Sequence, residues 1–115
     1  MNYRTWLFKG AFAFSLAAAV YHLVGVFYPI NSSPPWRHGV FVGVCLFCSY
    51  GFTTRPKYFV YLFAVLFVQQ VFSHGQYLVT RWMDHNRVDW NSLVLLTFMP
   101  ILLVGLINEL SAQRK

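Results

Sequence analysis

The sequence predicts an all-α integral membrane protein, a four-helix up-down bundle with both termini in the cytoplasm, and three observations lead there. The first is composition. Of 115 residues, 57% are apolar, 20% aromatic and only 10% charged, against about 25% charged in an average soluble domain. The second is the placement of the few charges, which leaves residues 10–36, 38–54, 58–80 and 90–108 free of Lys, Arg, Asp and Glu. A helix rising about 1.5 Å per residue needs roughly 20 residues to cross about 30 Å of hydrocarbon, so each stretch suits one span. The third is a belt of amphipathic rings. Trp6, Trp36, Trp82 and Trp90, with Tyr3, Tyr28 and Tyr58, fall near the expected helix ends, where such rings favour the headgroup boundary.

Helix 1 is expected over about 6–28, stopping near Pro29. Its apolar stretch continues through Ile30, longer than a usual signal-peptide core of about 7–15 residues, so it reads as an uncleaved first span. Asn31-Ser32-Ser33-Pro34-Pro35 is a turn that places proline in the first turn of helix 2, expected over about 36–53. Thr53 to Lys57 makes a short connection, and Pro56 can precede helix 3, over about 57–82, without removing a needed donor. Met83 to Val88 is the most polar loop. Asp89 is a reasonable N-cap for helix 4, over about 89–110, in which Pro100 should introduce a kink. The whole chain, 1–115, is read as one four-span domain.

An even number of spans puts Arg4, Lys9, Arg55, Lys57, Arg114 and Lys115 on one side and Arg37, Arg81 and Arg87 on the other. The positive-inside rule assigns the first group to the cytoplasm. A bacterial inner membrane is the expected location. The net charge of +6 is a topology signal of this kind, so nucleic acid is not expected as a partner; the lipid bilayer is.

This orientation gathers all four histidines, His22, His38, His74 and His85, in the exterior half. His22 precedes Pro29 by seven residues and His74 precedes Arg81 by the same number. Both therefore lie roughly 10 Å below the exterior boundary. At 100° per residue, Gln70, His74, Tyr77 and Arg81 form one polar stripe on helix 3, with Ser73 at its edge. His22 shares a face with Ala11, Ser15, Ala18 and Gly25, small residues that permit close helix approach in membranes. His38, Cys45 and Ser49 share a face of helix 2, and helix 4 reads as a wall of Phe98 and Leu102 beyond Asn91.

Polar groups in a span are expensive unless partnered, and an inward-facing set of them marks a functional site. The expected site is an exterior pocket of His22, His74, Gln70, Tyr77, Arg81, Arg37 and His38, holding a cofactor, a metal or a small polar ligand in a redox-linked or binding role. The histidines could ligate a b-type haem axially, with Arg37 or Arg81 on a propionate, or His22, His74 and His38 could ligate a transition metal. A simple structural role, hydrogen bonding between helices, stands beside this reading.

Other chemistries are bounded. Cys45 and Cys48 have the C-x-x-C spacing that resembles membrane redox bundles such as vitamin K epoxide reductase. Cys45 nevertheless lies roughly 15 Å into helix 2 and there is no second pair to relay electrons, so both read as inert buried thiols. The chain is similar in length and span number to small multidrug resistance exporters but lacks their glutamate in helix 1. Its carboxylates are Asp84, Asp89 and Glu109, none in mid-membrane. Arg37, His38, Arg81, His85 and Arg87 form a basic exterior collar suited to an anionic lipid headgroup, with Asp84 to Arg87 as a lid. The alternatives to the pocket are thus a lipid-headgroup-binding protein or a non-catalytic accessory subunit, docked on a membrane-protein partner or a second copy.

Overall fold

The computed structural model describes residues 2–115, which form four helices and no strand. These are α1 (Tyr3–Phe27), α2 (Pro35–Thr54), α3 (Phe59–His85) and α4 (Trp90–Gln113). The chain divides into two compact units, one ending at Pro56 and the other beginning at Lys57. Each is an antiparallel hairpin, α1 on α2 and α3 on α4.

In the first hairpin, Asn2 caps α1 by accepting from the Arg4 backbone N–H at 3.2 Å, which begins the helix three residues before the expected Trp6. Its other end follows from Pro29. The residue before a proline is pushed out of the α region, and Tyr28 is extended while its N–H still bonds to the Val24 carbonyl at 2.9 Å. Phe8, Ala11, Ser15, Ala19 and Gly25 are buried along α1 at helical spacing. Ala19, rather than the expected Ala18, lies fully on this face, as the inner line drifts round the helix.

Pro35 opens α2, where its missing N–H costs nothing. Cys48, Ser49, Gly51 and Phe52 fill the far half of its inner face and His38 the near half. The far end is closed by Phe8 and Phe52, ring centroids 6.3 Å apart, with the Arg55 guanidinium 5.3 Å from the Phe8 ring centre. Arg55 ends α2 in the left-handed region, at φ 50°, ahead of Pro56.

In the second hairpin, Phe59, Val60, Phe63 and Gln70 are buried on α3, and Ser92, Met99, Leu102, Gly105 and Leu106 on α4. α3 runs three residues past the expected Trp82. It stops at Asn86, which adopts φ 50° and donates its N–H to the Trp82 carbonyl at 2.9 Å. Asparagine tolerates this left-handed conformation better than most residues. At the opposite end, Arg114 Nη2 donates to the Tyr61 hydroxyl at 3.1 Å and fastens the end of α4 to the start of α3. Pro100 lies within a helix that continues on both sides of it.

Three of the four helices, α1, α3 and α4, are long and apolar enough to cross a membrane. α2 falls short of them: its 20 residues include Arg37, His38, three glycines, Ser49, Thr53 and Thr54. Those hydroxyls are partly internalised, since Ser49, Thr53 and Thr54 donate to the carbonyls of Cys45, Ser49 and Tyr50 at 2.9 to 3.0 Å.

Candidate functional site

The α1–α2 turn builds the most connected polar group of the first hairpin. Asn31 begins it. Its Oδ1 accepts the Ser33 backbone N–H at 2.9 Å, the turn that asparagine side chains make with the residue two positions on. The same oxygen lies 3.1 Å from His38 Nε2, and Asn31 Nδ2 donates to the Tyr21 hydroxyl at 3.3 Å. His38 Nδ1 then lies 2.9 Å from His22 Nδ1. One turn residue thereby joins a tyrosine and two histidines on both helices.

This chain of contacts assigns the protons. A backbone N–H can only donate, so the Asn31 atom facing Ser33 is the carbonyl oxygen. His38 Nε2 must therefore carry a hydrogen and donate to it. A neutral His38 then presents a bare Nδ1, which accepts from His22 Nδ1–H. The His22 ring is stacked on Phe41, with centroids 5.3 Å apart and planes 24° from parallel, and meets Tyr21 edge-on at 5.2 Å.

Gly25 makes the arrangement possible. It lies one turn beyond His22, and a Cβ there would stand 2.6 Å from His38 Nδ1 and 2.7 Å from Cγ. Only a bare backbone lets the His38 ring lie against α1, where it is 2% exposed.

The second hairpin holds its own polar chain, between α3 and the start of α4. His74 Nδ1 lies 2.8 Å from Ser92 Oγ, and Ser92 in turn donates a short hydrogen bond to Asp89 Oδ2. Since a carboxylate accepts, the serine hydrogen points at Asp89 and His74 Nδ1–H donates to the serine oxygen. Ser92 is completely buried, so it acts as a bridge between imidazole and carboxylate and is not exposed to attack a substrate. Asp89 occupies the expected N-cap position, and its backbone carbonyl accepts from Leu93 at 3.0 Å. Its side chain makes no capping bond and is turned to Ser92 instead.

The remaining expected residues take different surroundings. Gln70 is 5% exposed and donates to Gln69 Oε1 at 2.6 Å. Tyr77 is 41% exposed and accepts from Arg81 Nε and Nη2 at 3.2 and 3.0 Å, an i,i+4 pair on the outer half of α3. Arg37 is half-buried beside His38, whereas His85 and Arg87 are exposed. Cys45 and Cys48 are free thiols. Among the described residues no group of three or more His, Cys, Asp or Glu is gathered as a metal site.

The structure thus pairs His22 with His38, and places His74 in the other hairpin with Ser92 and Asp89. Four contributors were not among the expected site residues, Tyr21, Asn31, Ser92 and Asp89, the last expected only as an N-cap. Two local signals pointed to them: Asn-Ser-Ser before Pro-Pro suits an asparagine-led turn, and Asp89 precedes Ser92 by three residues at the start of a helix. Comparison with protein-family models, curated proteins and solved structures finds no match to this chain.

Proposed function

We propose that the chain is an integral membrane protein whose four helices all span the bilayer, with both termini in the cytoplasm, as in a bacterial inner membrane. Its exterior side carries a histidine-based site that binds a small polar ligand in a redox-linked or binding role. The observation that supports this most is the chain Tyr21–Asn31–His38–His22, polar chemistry organised at the α1–α2 turn around the buried His38, with a glycine reserved for it. Helix-to-helix adhesion alone does not call for two imidazoles joined nitrogen to nitrogen. α2, which falls short of the apolar length that marks the other three helices, suits a span whose polar residues face protein rather than lipid.

His38 has both ring nitrogens engaged, and among the described residues no group of three or more His, Cys, Asp or Glu is gathered, so a ligand recognised by hydrogen bonding or proton exchange fits better than a metal held by several imidazoles. Arg37, next to His38 in the chain, favours a ligand with anionic character.

The test is to purify the full chain and its His22→Ala and His74→Ala variants, and to compare visible spectra, bound metal and co-purifying small molecules. A bound molecule retained by the wild type and lost with His22 is the expected result. A visible band or stoichiometric metal that disappears with either histidine would make haem or a metal the ligand. Unchanged small-molecule content in both variants, with loss of co-purifying membrane proteins, would replace this reading by the accessory-subunit one.

A further inference from the structure

We infer that His22 and His38 together form a binding site for a single proton, shared between their Nδ1 atoms. This rests on reading their network as the functional site, and it specifies what that site holds. The neutral pair carries two nitrogen-bound hydrogens, on His38 Nε2 and His22 Nδ1, the second lying in the 2.9 Å contact. Adding one proton places a hydrogen on His22 Nε2 as well. Each outer nitrogen then carries one, and the third remains between the two Nδ1 atoms, where it can belong to either ring. The N–H···N bond therefore survives the first protonation. A second proton would set two N–H groups against each other at the same contact, with two positive rings whose centres are 5.2 Å apart. The pair takes one proton where two separate imidazoles would take two.

Within the first hairpin the residues suit a charge that the two rings share. Residues 1–56 contain no Asp or Glu, so the first hairpin has no carboxylate to pair with imidazolium. From α1 the titratable group against the rings is Tyr21, edge-on to both. From α2, Arg37 immediately precedes His38 and Cys45 lies two turns further on. Lys9 and Arg55 belong to the opposite end of the hairpin, where Arg55 covers Phe8. What favours a cation here is the face of Phe41 stacked on His22, since an aromatic face carries negative charge density. Because the bond persists with the proton on either ring, the hairpin stays closed in both states. The pair holds a proton between its rings and does not open as a pH-driven hinge.

The experiment is nitrogen-15 NMR of the full chain, labelled at histidine, in phosphatidylcholine nanodiscs without added ligand, from about pH 8 to about pH 4 around the ordinary imidazole value near 6.5. Expected are a scalar coupling between the two Nδ1 nuclei and a combined uptake of one proton by His22 and His38. Independent uptake of one proton by each ring, or absence of the coupling, overturns the proposal. Gly25→Ala, which drives a Cβ into the His38 ring, should abolish the coupling and raise the combined uptake to two. A folded Gly25→Ala protein that still takes up one also overturns it. Failure to find a small-molecule ligand leaves the wild-type NMR result intact, so the two readings fail separately.

Discussion

Gly25 on α1 and the imidazole of His38 on α2 occupy a space that admits no Cβ, since one built on Gly25 would come within 2.6 Å of His38 Nδ1. The residue that brings the helices together is thus paired with the residue that uses the proximity. Gly25→Ala should destabilise the first hairpin by about 1–3 kcal/mol, the usual cost of overpacking. Adding His38→Ala to Gly25→Ala should recover part of that loss, because the new methyl would no longer meet a ring. Thermal unfolding of both variants and of His38→Ala in one detergent completes the double-mutant cycle, and strict additivity would contradict the contact.

Asn31 holds two donors on one oxygen, the Ser33 N–H and His38 Nε2. Asn31→Ala should cost about 1–3 kcal/mol of hairpin stability by removing the acceptor of a buried ring nitrogen. Asn31→Asp keeps the acceptor and should retain most of the stability. Equal losses in the two variants would mean that the carbonyl is not what matters.

Ser92 bridges His74 and Asp89 from a fully buried position. Ser92→Ala preserves volume closely but removes both bonds, and a loss of about 1–3 kcal/mol is expected in the second hairpin. Ser92→Thr restores the hydroxyl at the expense of an added methyl. Chemical denaturation of the two variants tests this, with Thr expected to regain stability only if the methyl is accommodated.

Membrane topology is checked with single cysteines in a protein lacking Cys45 and Cys48. Replacing those two thiols should leave folding intact, since they form no disulfide. Ser32→Cys, in the α1–α2 turn, should react with a membrane-impermeant maleimide added to intact cells. Ser111→Cys, near the end of α4, should react only after permeabilisation. The reverse pattern would invert the orientation, and labelling of both would remove α2 as a span.

Helix number and approximate extent were legible in the sequence because they depend on local facts. Proline positions, tryptophan belts and charge spacing each act within a few residues. The ends shifted where a side chain intervened, at Asn2, which caps α1 early, and at Asn86, which lets α3 run on before turning. Face analysis found Gln70, His74 and Gly25, since helical periodicity sets which residues share a side. It could not say which partner a side meets.

Composition and pattern therefore determined by themselves that the chain is helical and that three of its helices are apolar enough for membrane spans. The tertiary structure decided the partners. His22 meets His38 sixteen residues on, and His74 meets Ser92 eighteen on, because hairpin register sets which turns of two helices lie side by side. That register comes from close packing along the whole interface, down to a missing Cβ at Gly25. A property distributed over both helices cannot be read from the period of either one.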